Sequence, residues 1–343
     1  MPYGTLALDA ISTSGNLAVT GNTTVSGNFS AANMSGQNRL INGTMMIDQR
    51  NSGSTQTITA GAALAYTCDR WYAYCTGANV TGQRVTAVGT NAFVYQFTGA
   101  ASVTAIGFGQ RIESANCSDM AGTTATLAVD LANSVLTAVT WTAFYANTAD
   151  TFGNLSSPTR TQISSGTFTV NSTLTRYSTQ IAIPSAATTG IEIVFTVGAQ
   201  TSGTWQIDRV QLESGTVATP YERKLFSAEL AACQRYYYQV MSSNAAGSNL
   251  SMWGGYFRGS TAFEGFHKQH PVPMRITPIL GYGTVGNYNV FNGTTAGAVS
   301  AIGSSGDSYG TILSATTVQT YSVATAGQFY AAQGNNISFS AEL

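Results

Sequence analysis

Four aromatic residues in the last third of the chain have neighbours that suit sugar binding: Trp253, Tyr256, Tyr282 and Tyr288 lie among Gly, Ser and Asn. A pyranose ring has an apolar face and a polar rim. A sugar site therefore needs an exposed aromatic ring with neutral hydrogen-bonding groups beside it. Aromatic residues in strand-rich regions also commonly pack half-buried against their own sheet. The sequence predicts a ligand surface at these four residues, with core packing as the alternative.

Groups that could carry acid–base or metal chemistry are scarce. His267 and His270 are the only histidines, and Pro271 follows them. Three copies around a threefold axis could each supply an imidazole to one metal, but exposed loop histidines are the commoner outcome, so no metal is predicted there. Glycoside cleavage needs two carboxylates facing across a groove, whereas acidic residues here adjoin arginines, as in Asp69-Arg70 and Asp208-Arg209. With no nucleophile elbow, phosphate loop or zinc motif in the sequence, we predict that the chain is not an enzyme.

The chain carries unusually few charges. Lys and Arg number 14 and Asp and Glu 15, so charged residues make up 8% of the sequence and the net charge is −1, against roughly 25% charged in an ordinary soluble domain. The polar surface must therefore come from Ser, Thr, Asn, Gln and Gly. Such a chain has no positive field to attract a phosphate backbone, so nucleic acid is not an expected partner.

The cysteines and the apolar segments predict neither a disulfide framework nor a membrane span. The four cysteines are spread too widely for a disulfide framework or zinc spacing, which predicts buried free thiols. The sequence contains no run of 18 or more apolar residues, and its first residues lack the basic start and apolar core of a signal peptide. We therefore expect no membrane insertion and synthesis in the cytoplasm. The cysteines are Cys68, Cys75, Cys117 and Cys233.

Residues 1–37 contain a six-residue repeat that predicts a stalk. Its three copies are 15–20, 21–26 and 27–32, and each opens with Gly-Asn, a turn signal, followed by strand-like alternation. Three such units cannot bury a core in one chain, but three chains around one axis could share an apolar stripe. A flexible linker is the alternative. The stripe would consist of Leu17, Val19, Val25 and Phe29.

The rest of the chain predicts an all-β protein with one helix. Short strand-like stretches separated by Gly, Asn, Ser and Pro occupy residues 38–223, which favours an antiparallel β-sandwich of the jelly-roll type. A short helix should follow, capped by Ser227 with Glu229 in its first turn, and with Leu230, Cys233 and Tyr237 on one face. Residues 224–343 would then hold this linking helix and a distal β-sandwich domain.

Several passages resemble the fibre and structural proteins of tailed phages, and their order along the chain is the specific feature. The resemblance implies that residues 38–240 include a jelly roll similar to carbohydrate-binding modules, whose opening and closing strands are the first and third passages. The passages are residues 38–43 with Asp48-Gln49-Arg50, Cys68-Asp69-Arg70-Trp71, residues 206–215 leading into 218–222, residues 229–237, and in the distal part residues 271–278 and 337–343.

The same resemblance implies a candidate calcium site. In carbohydrate-binding jelly rolls an acidic residue at the position of Asp208, with backbone oxygens near the Asn42-Gly43 turn, can hold calcium, and hard oxygen ligands suit that ion. The alternative is an ordinary salt bridge from Asp208 to Arg209 or Arg70. No other cofactor is implied.

The resemblance implies a structural protein of a virion that attaches to the host surface, and the repeat predicts that it is a homotrimer. Its N-terminus would bind other virion proteins, and its distal domain would attach to a glycan or protein on the host surface. Placement on the tail is favoured over the head. The alternatives are a head-decorating fibre or cement protein, and a polysaccharide depolymerase.

Overall fold

The computed structural model describes residues 38–61, 64–87, 92–240, 250–331 and 336–343, without the side chains of residues 250–252. The predicted stalk, with Leu17, Val19, Val25 and Phe29, lies outside the described residues. Within them the chain forms 22 strands and one α-helix, and the strands pair antiparallel. The all-β prediction is confirmed.

The first domain is a sandwich of two six-stranded antiparallel sheets, as predicted. One sheet has the order β1-β4-β5-β12-β7-β10 and the other β2-β3-β6-β11-β8-β9. Two short 3₁₀ turns, Ser114–Asn116 and Ser118–Met120, precede β7. The strands are β1 Gln56–Ile58, β2 Ala65–Tyr66, β3 Tyr72–Thr76, β4 Val80–Thr86, β5 Phe93–Thr98, β6 Ala105–Ile112, β7 Thr124–Asn133, β8 Ala138–Ala146, β9 Arg160–Thr169, β10 Thr175–Ala182, β11 Ile191–Val197 and β12 Thr204–Ser214.

Alternating apolar side chains of the two sheets meet in one core. Aromatic rings fill its centre: Trp71 stacks on Phe108 with ring centroids 4.9 Å apart, and Phe97 stacks on Trp205 at 5.2 Å. The predicted state of the cysteines is confirmed, because all four are buried and free. The chain therefore has no exposed thiol among its described residues.

One helix, α1 (Phe226–Gln234), follows the sandwich. The predicted cap at Ser227 is wrong: the N–H of Glu229 donates to the carbonyl of Leu225, so the first turn has already begun at Ser227. Glu229 does lie in that turn, and its carboxylate accepts the backbone N–H of Asn42, which fixes the helix to the sandwich. Tyr237 lies beyond the helix. Within the described residues no helix has the length and apolar character needed to cross a membrane.

The second domain contains a seven-stranded and a three-stranded antiparallel sheet. The larger sheet has the order β15-β14-β21-β18-β19-β20-β16. Because β15 also pairs with β20, this sheet closes on itself. The second sandwich that the sequence predicted therefore has the form of a closed sheet with a small sheet packed against its core. The smaller sheet, β13-β22-β17, packs on the same apolar core. A 3₁₀ turn, Val285–Asn287, precedes β18. The strands are β13 Tyr237–Gln239, β14 Leu250–Gly259, β15 Ala262–Gly265, β16 Lys268–Gln269, β17 Ile279–Tyr282, β18 Tyr288–Phe291, β19 Ala296–Gly306, β20 Gly310–Thr317, β21 Ala326–Ala331 and β22 Ile337–Ser340.

The two domains meet where three arginines of the first domain surround the end of β22; we call this the arginine joint. Arg50 Nη2 lies 3.0 Å from Glu342 Oε1, and Arg70 pairs with the other carboxylate oxygen. Arg111 Nη1 donates to the carbonyl of Leu343 at 2.7 Å. Since β13 and β22 pair side by side, the strand that enters the second domain and the last strand of the sequence meet at this one place.

The joint gathers most of the passages that resemble phage proteins. The guanidinium of Arg70 lies 3.5 Å from the ring centroid of Tyr236, and that of Arg50 lies 3.6 Å from the ring centroid of Tyr237. Tyr236 also donates its hydroxyl to Glu113 at 2.9 Å. These short strings, far apart in the sequence, therefore build one contact between domains.

Asp69, buried beside the joint, should make stability depend on pH. Its carboxylate accepts Gln49 Nε2–H at 2.5 Å, and Gln49 also donates to the carbonyl of Tyr237 at 3.0 Å. Burial raises the pKa of Asp69 to about 7, although the Gln49 hydrogen bond and Arg50 oppose this. Because this folded-state pKa exceeds the ordinary value of about 3.9, the folded protein binds the proton more tightly than the unfolded chain. Stability should then fall as pH rises between about 4 and 7, and level off above that.

Thermal unfolding of the parent and of Asp69→Asn between about pH 5 and pH 8 measures this contribution. The parent should lose stability as pH rises, and the variant should lose less. Burial also raises the pKa of Glu229 and lowers that of His270, two changes whose slopes have opposite signs, so the difference between the two proteins is the quantity that reports on Asp69. Equal slopes in the two proteins would contradict the assignment to Asp69.

Candidate functional site

A groove of about 380 Å³ lies on the surface of the second domain, between β14, β21 and the loop after β18. We call it the distal groove. Gly254 and Gln328 are cross-strand partners within it, and Gln328 also pairs with Phe291. The ring of Phe266 lies beside Gly254, at van der Waals distance from the place where a Cβ would stand. The lining residues are Gly254, Gly255, Phe266, Phe291, Asn292, Gly293, Ala326, Gly327 and Gln328.

An exposed aromatic pair forms one side of the groove. Phe266 is 62% exposed, a high value for an aromatic side chain, and its ring centroid lies 6.4 Å from that of Tyr256 at a tilt of 38°. The Tyr256 hydroxyl donates to Glu264 Oε1 at 3.2 Å, and Glu264 in turn pairs with Arg258 at 2.9 Å. The pair therefore offers apolar ring surface to solvent while its polar end is fixed.

Neutral polar groups lie on the other side of the groove. Asn292 Oδ1 accepts the N–H groups of Thr294 and Thr295 at 3.1 and 2.8 Å, which fixes the loop after β18. The side chain of Gln328 is exposed beside it. None of the lining residues is charged. The groove thus combines an apolar ring face with amide groups, the arrangement that a sugar ring requires.

The structure places only one of the four predicted aromatic residues beside this groove, Tyr256. The expectation that Trp253 and Tyr288 are exposed is wrong. Trp253 is 4% exposed and donates Nε1–H to the carbonyl of Phe266 at 2.7 Å. Tyr288 is fully buried and donates its hydroxyl to the carbonyl of Asn336 at 2.6 Å. Tyr282 is exposed on β17, edge-on to Tyr288.

Phe266, Phe291 and Gln328 were not among the predicted binding residues. The available signal was alternation along β14, where Trp253, Gly255 and Phe257 face the core and Gly254, Tyr256 and Arg258 face solvent. Because successive side chains of a strand point to opposite faces, Trp253 and Tyr256, three residues apart, lie on opposite faces of β14. What the sequence does not show is that the end of β15 brings Phe266 beside Gly254.

Asn42, one of the two proposed calcium ligands, is fully engaged within the protein. Its Nδ2 donates to the carbonyls of Ile47 and Asp69 at 2.7 and 3.0 Å, and its Oδ1 accepts the N–H of Ile47 at 2.9 Å. Its own carbonyl accepts Trp71 Nε1–H at 2.9 Å. These bonds give Asn42 a structural role in the turn that precedes β1.

The turn at Asn42 and the strand that carries Asp208 do come together, because the N–H of Val210 donates to the carbonyl of Gly43 at 2.9 Å. Asp208 Oδ1 accepts the N–H of Arg209 at 2.7 Å. The described residues contain no group of three or more His, Cys, Asp or Glu side chains arranged to hold a metal. Calcium binding by Asn42 and Asp208 stays a prediction.

Of the two histidines expected to be exposed, His267 is exposed, and the salt bridge of Asp208 to Arg209 or Arg70 stays a prediction. The Arg209 side chain pairs with Asp130 on β7, and Arg70 pairs with Glu342. His270 is buried, not exposed, and its ring lies 3.2 Å from the Thr311 hydroxyl. Burial lowers the pKa of His270.

The first domain offers a second, flatter aromatic surface. The half-buried ring of Tyr74 on β3 lies over Gly107 of β6. The next strands place Thr196, Thr140 and the Thr142 hydroxyl on the same face of the sheet. This surface also joins a ring face to neutral hydroxyl groups.

Comparison with known proteins gives low similarity throughout. No family model matches the chain, and no curated protein matches it. Among solved structures, the enzymatically active domain of bacteriophage CBA120 tailspike protein 4 shares 18% identity over 43% of this chain and 19% of its own, with a TM-score of 0.31. TmCBM61 in complex with β-1,4-galactotriose shares 12% identity over 52% and 99%, with a TM-score of 0.33. The C-terminal family 22 carbohydrate-binding module of Clostridium thermocellum Xyn10B shares 15% over 54% and 99%, with a TM-score of 0.31. Because these scores lie below 0.5, none supports a functional conclusion.

Proposed function

We propose that this chain is a non-enzymatic structural subunit of a tailed-phage fibre that attaches the virion to a neutral glycan on the host surface. The observation that carries the proposal is the distal groove, where the exposed Phe266 and Tyr256 rings lie near the amide of Gln328 and no charged residue lines the site. The phage-like passages and the 8% charge content support a virion protein that binds by short-range contacts.

The subunit would act as a homotrimer on the tail, with its N-terminus held by other virion proteins. The repeat at residues 15–32 supports three copies. Each groove is shallow, so one copy should bind weakly. Three grooves on one rigid assembly raise the effective concentration of the second and third contacts.

Binding without cleavage is supported by the state of the carboxylates. Asp130 is buried between Arg176 and Arg209, and Glu192 between Arg111 and Arg160. Groups held this way have structural partners and do not face a groove as an acid–base pair would. Release of reducing ends from host polysaccharide by the purified chain would contradict this part of the proposal.

Replacing the aromatic pair should weaken attachment and leave the fold intact. Phe266→Ala with Tyr256→Ala removes the ring surface on which a sugar would lie, and adsorption of the full chain to host cells should fall at least about tenfold. Tyr309→Ala is the matched control, because Tyr309 is an exposed aromatic of the same domain outside the groove. Adsorption should be nearly equal at low and moderate ionic strength.

Unchanged adsorption in the double variant would show that the distal groove is not the contact surface. Tyr74→Ala would then test the flat surface of the first domain. Adsorption that collapses with added salt would contradict recognition of a neutral ligand at either place. Imaging of labelled virions tests the tail placement, since signal over the whole capsid would favour a head-decorating role.

A further inference from the structure

Two large apolar side chains lie exposed side by side at the start of α1. Leu225 is 78% and Phe226 57% exposed. Phe226 also lines an apolar groove of about 540 Å³ that runs between α1 and the first domain, with Met46, Phe93 and Leu230 among its other lining residues. We call these residues together the helix-start surface. Adjacent exposed apolar residues beside an apolar groove are typical of a protein–protein contact.

The helix-start surface lies next to the place where residues 1–37 join the described chain. The N–H of Asn38 donates to Glu222 Oε2 at 2.8 Å, and Lys224 Nζ donates to the carbonyl of Asn38 at 3.2 Å. Leu225 follows Lys224 directly, and consecutive Cα atoms are about 3.8 Å apart. Asn38 and Leu225 are therefore close in space. The bond from the Asn42 N–H to Glu229, 187 positions away, holds the same two segments together.

This proximity decides which molecule can cover the surface. If residues 1–37 of three copies pack around one axis, the three Asn38 residues must lie close to that axis, and Leu225 and Phe226 of each copy lie close to it as well. A threefold contact is heterologous, so a protruding element of one copy meets a recess of the next. Leu225 with Phe226 supplies the first and the apolar groove the second. Among the charged residues that line the groove, Arg84 Nε and Asp48 Oδ2 lie 3.9 Å apart and pair with each other, and Arg223 lies at the same groove.

We infer that the helix-start surface is the contact between copies of this chain, with Leu225 and Phe226 of one copy seated against the groove formed by Met46, Phe93 and Leu230 of the next. The inference rests on the proposed trimer and adds the surface through which the globular parts meet. It also gives a role to two large apolar residues that are adjacent in the sequence and both exposed.

Cross-linking of the full chain tests this contact. Leu225→Cys places one exposed thiol on the surface, and the four native thiols are buried and react slowly. A short bis-maleimide should then give a covalent dimer in high yield. Val318→Cys is the matched control, because Val318 is a similarly exposed apolar residue of the second domain. It should react with a mono-maleimide but link few chains.

Native mass measurement of the same proteins separates the possible failures. A trimeric mass without cross-linking at position 225 would overturn the assigned surface and leave the trimer. A monomeric mass would overturn both. As a second variant, Phe226→Glu should raise the concentration at which the copies dissociate by at least about tenfold, with an unchanged thermal midpoint for the monomer. A dissociation midpoint equal to that of the parent would overturn the inference.

Discussion

Glu342→Ala should lower the free energy of unfolding by about 3 to 5 kcal/mol, the range expected when one partner of a buried ion pair is removed. Glu342 is the carboxylate that Arg50 and Arg70 share in the arginine joint. Without it these cations remain next to each other, and Arg70 is almost completely buried. Burial alone would lower the pKa of Arg70, but nearby groups led by Glu342 raise it overall. Urea unfolding at neutral pH measures the loss.

Glu264→Ala is the matched control for this prediction. Glu264 also pairs with an arginine, at 2.9 Å, but its partner Arg258 is 72% exposed, and exposed pairs contribute at most about 1 kcal/mol. Glu342→Gln should lie between the two, because its single amide oxygen still accepts from one of the two arginines while the charge and the second acceptor are lost. If Glu342→Ala costs no more than Glu264→Ala, the ion pairs do not hold the joint.

The second large effect is expected at Glu192, whose side chain is fully buried in the first domain. Its carboxylate accepts Arg111 Nε–H at 2.8 Å and the Tyr72 hydroxyl at 2.7 Å, and it pairs with Arg160. Glu192→Ala leaves two guanidinium groups and a hydroxyl without their acceptor, so we again expect a loss of about 3 to 5 kcal/mol in urea unfolding.

Arg111 connects this cluster to the joint, because its Nη1 also donates to the carbonyl of Leu343. The effects of Glu192→Ala and Glu342→Ala should therefore not add, with a coupling of at least about 0.5 kcal/mol in a double-mutant cycle. The pair Glu192→Ala and Glu264→Ala should add, since no shared partner links them. Additivity in both cycles would show that Arg111 does not couple the two sites.

Strand alternation and turn residues were enough to predict an all-β chain with a two-sheet sandwich, because these signals are local. The same local logic places Trp253 and Tyr256 on opposite faces of β14, but it does not say which face is inside. That depends on pairing with β21, for example Trp253 opposite Phe329. Tyr288 is buried for the same reason, since β18 pairs with β21 across the closed sheet.

Partners that are distant in sequence were beyond prediction. The alternative to calcium was a salt bridge from Asp208 to Arg209 or Arg70, and no sequence argument pointed to the pair that Arg70 forms with Glu342, 272 positions away. No periodicity or spacing rule links residues at that separation. The distal groove was missed for a related reason: its aromatic wall and its amide side come from β15, β18 and β21, which only the folded sheet brings together.

The side-by-side pairing of β13 and β22 at the joint has a mechanical consequence. A domain held by one strand can swivel about that strand, but this one is held by two strands that leave the joint together, with Tyr237 opposite Ser340. A pull on the distal groove stretches both strands in the same direction, so the hydrogen bonds between them are not sheared. On the β13 side the load passes through the backbone into α1, and on the β22 side it passes to Arg50, Arg70 and Arg111, so rotation of the domain meets two attachments where a single tether would offer one. A force applied at the distal groove would therefore reach the sandwich of the first domain with little rotation of the second domain.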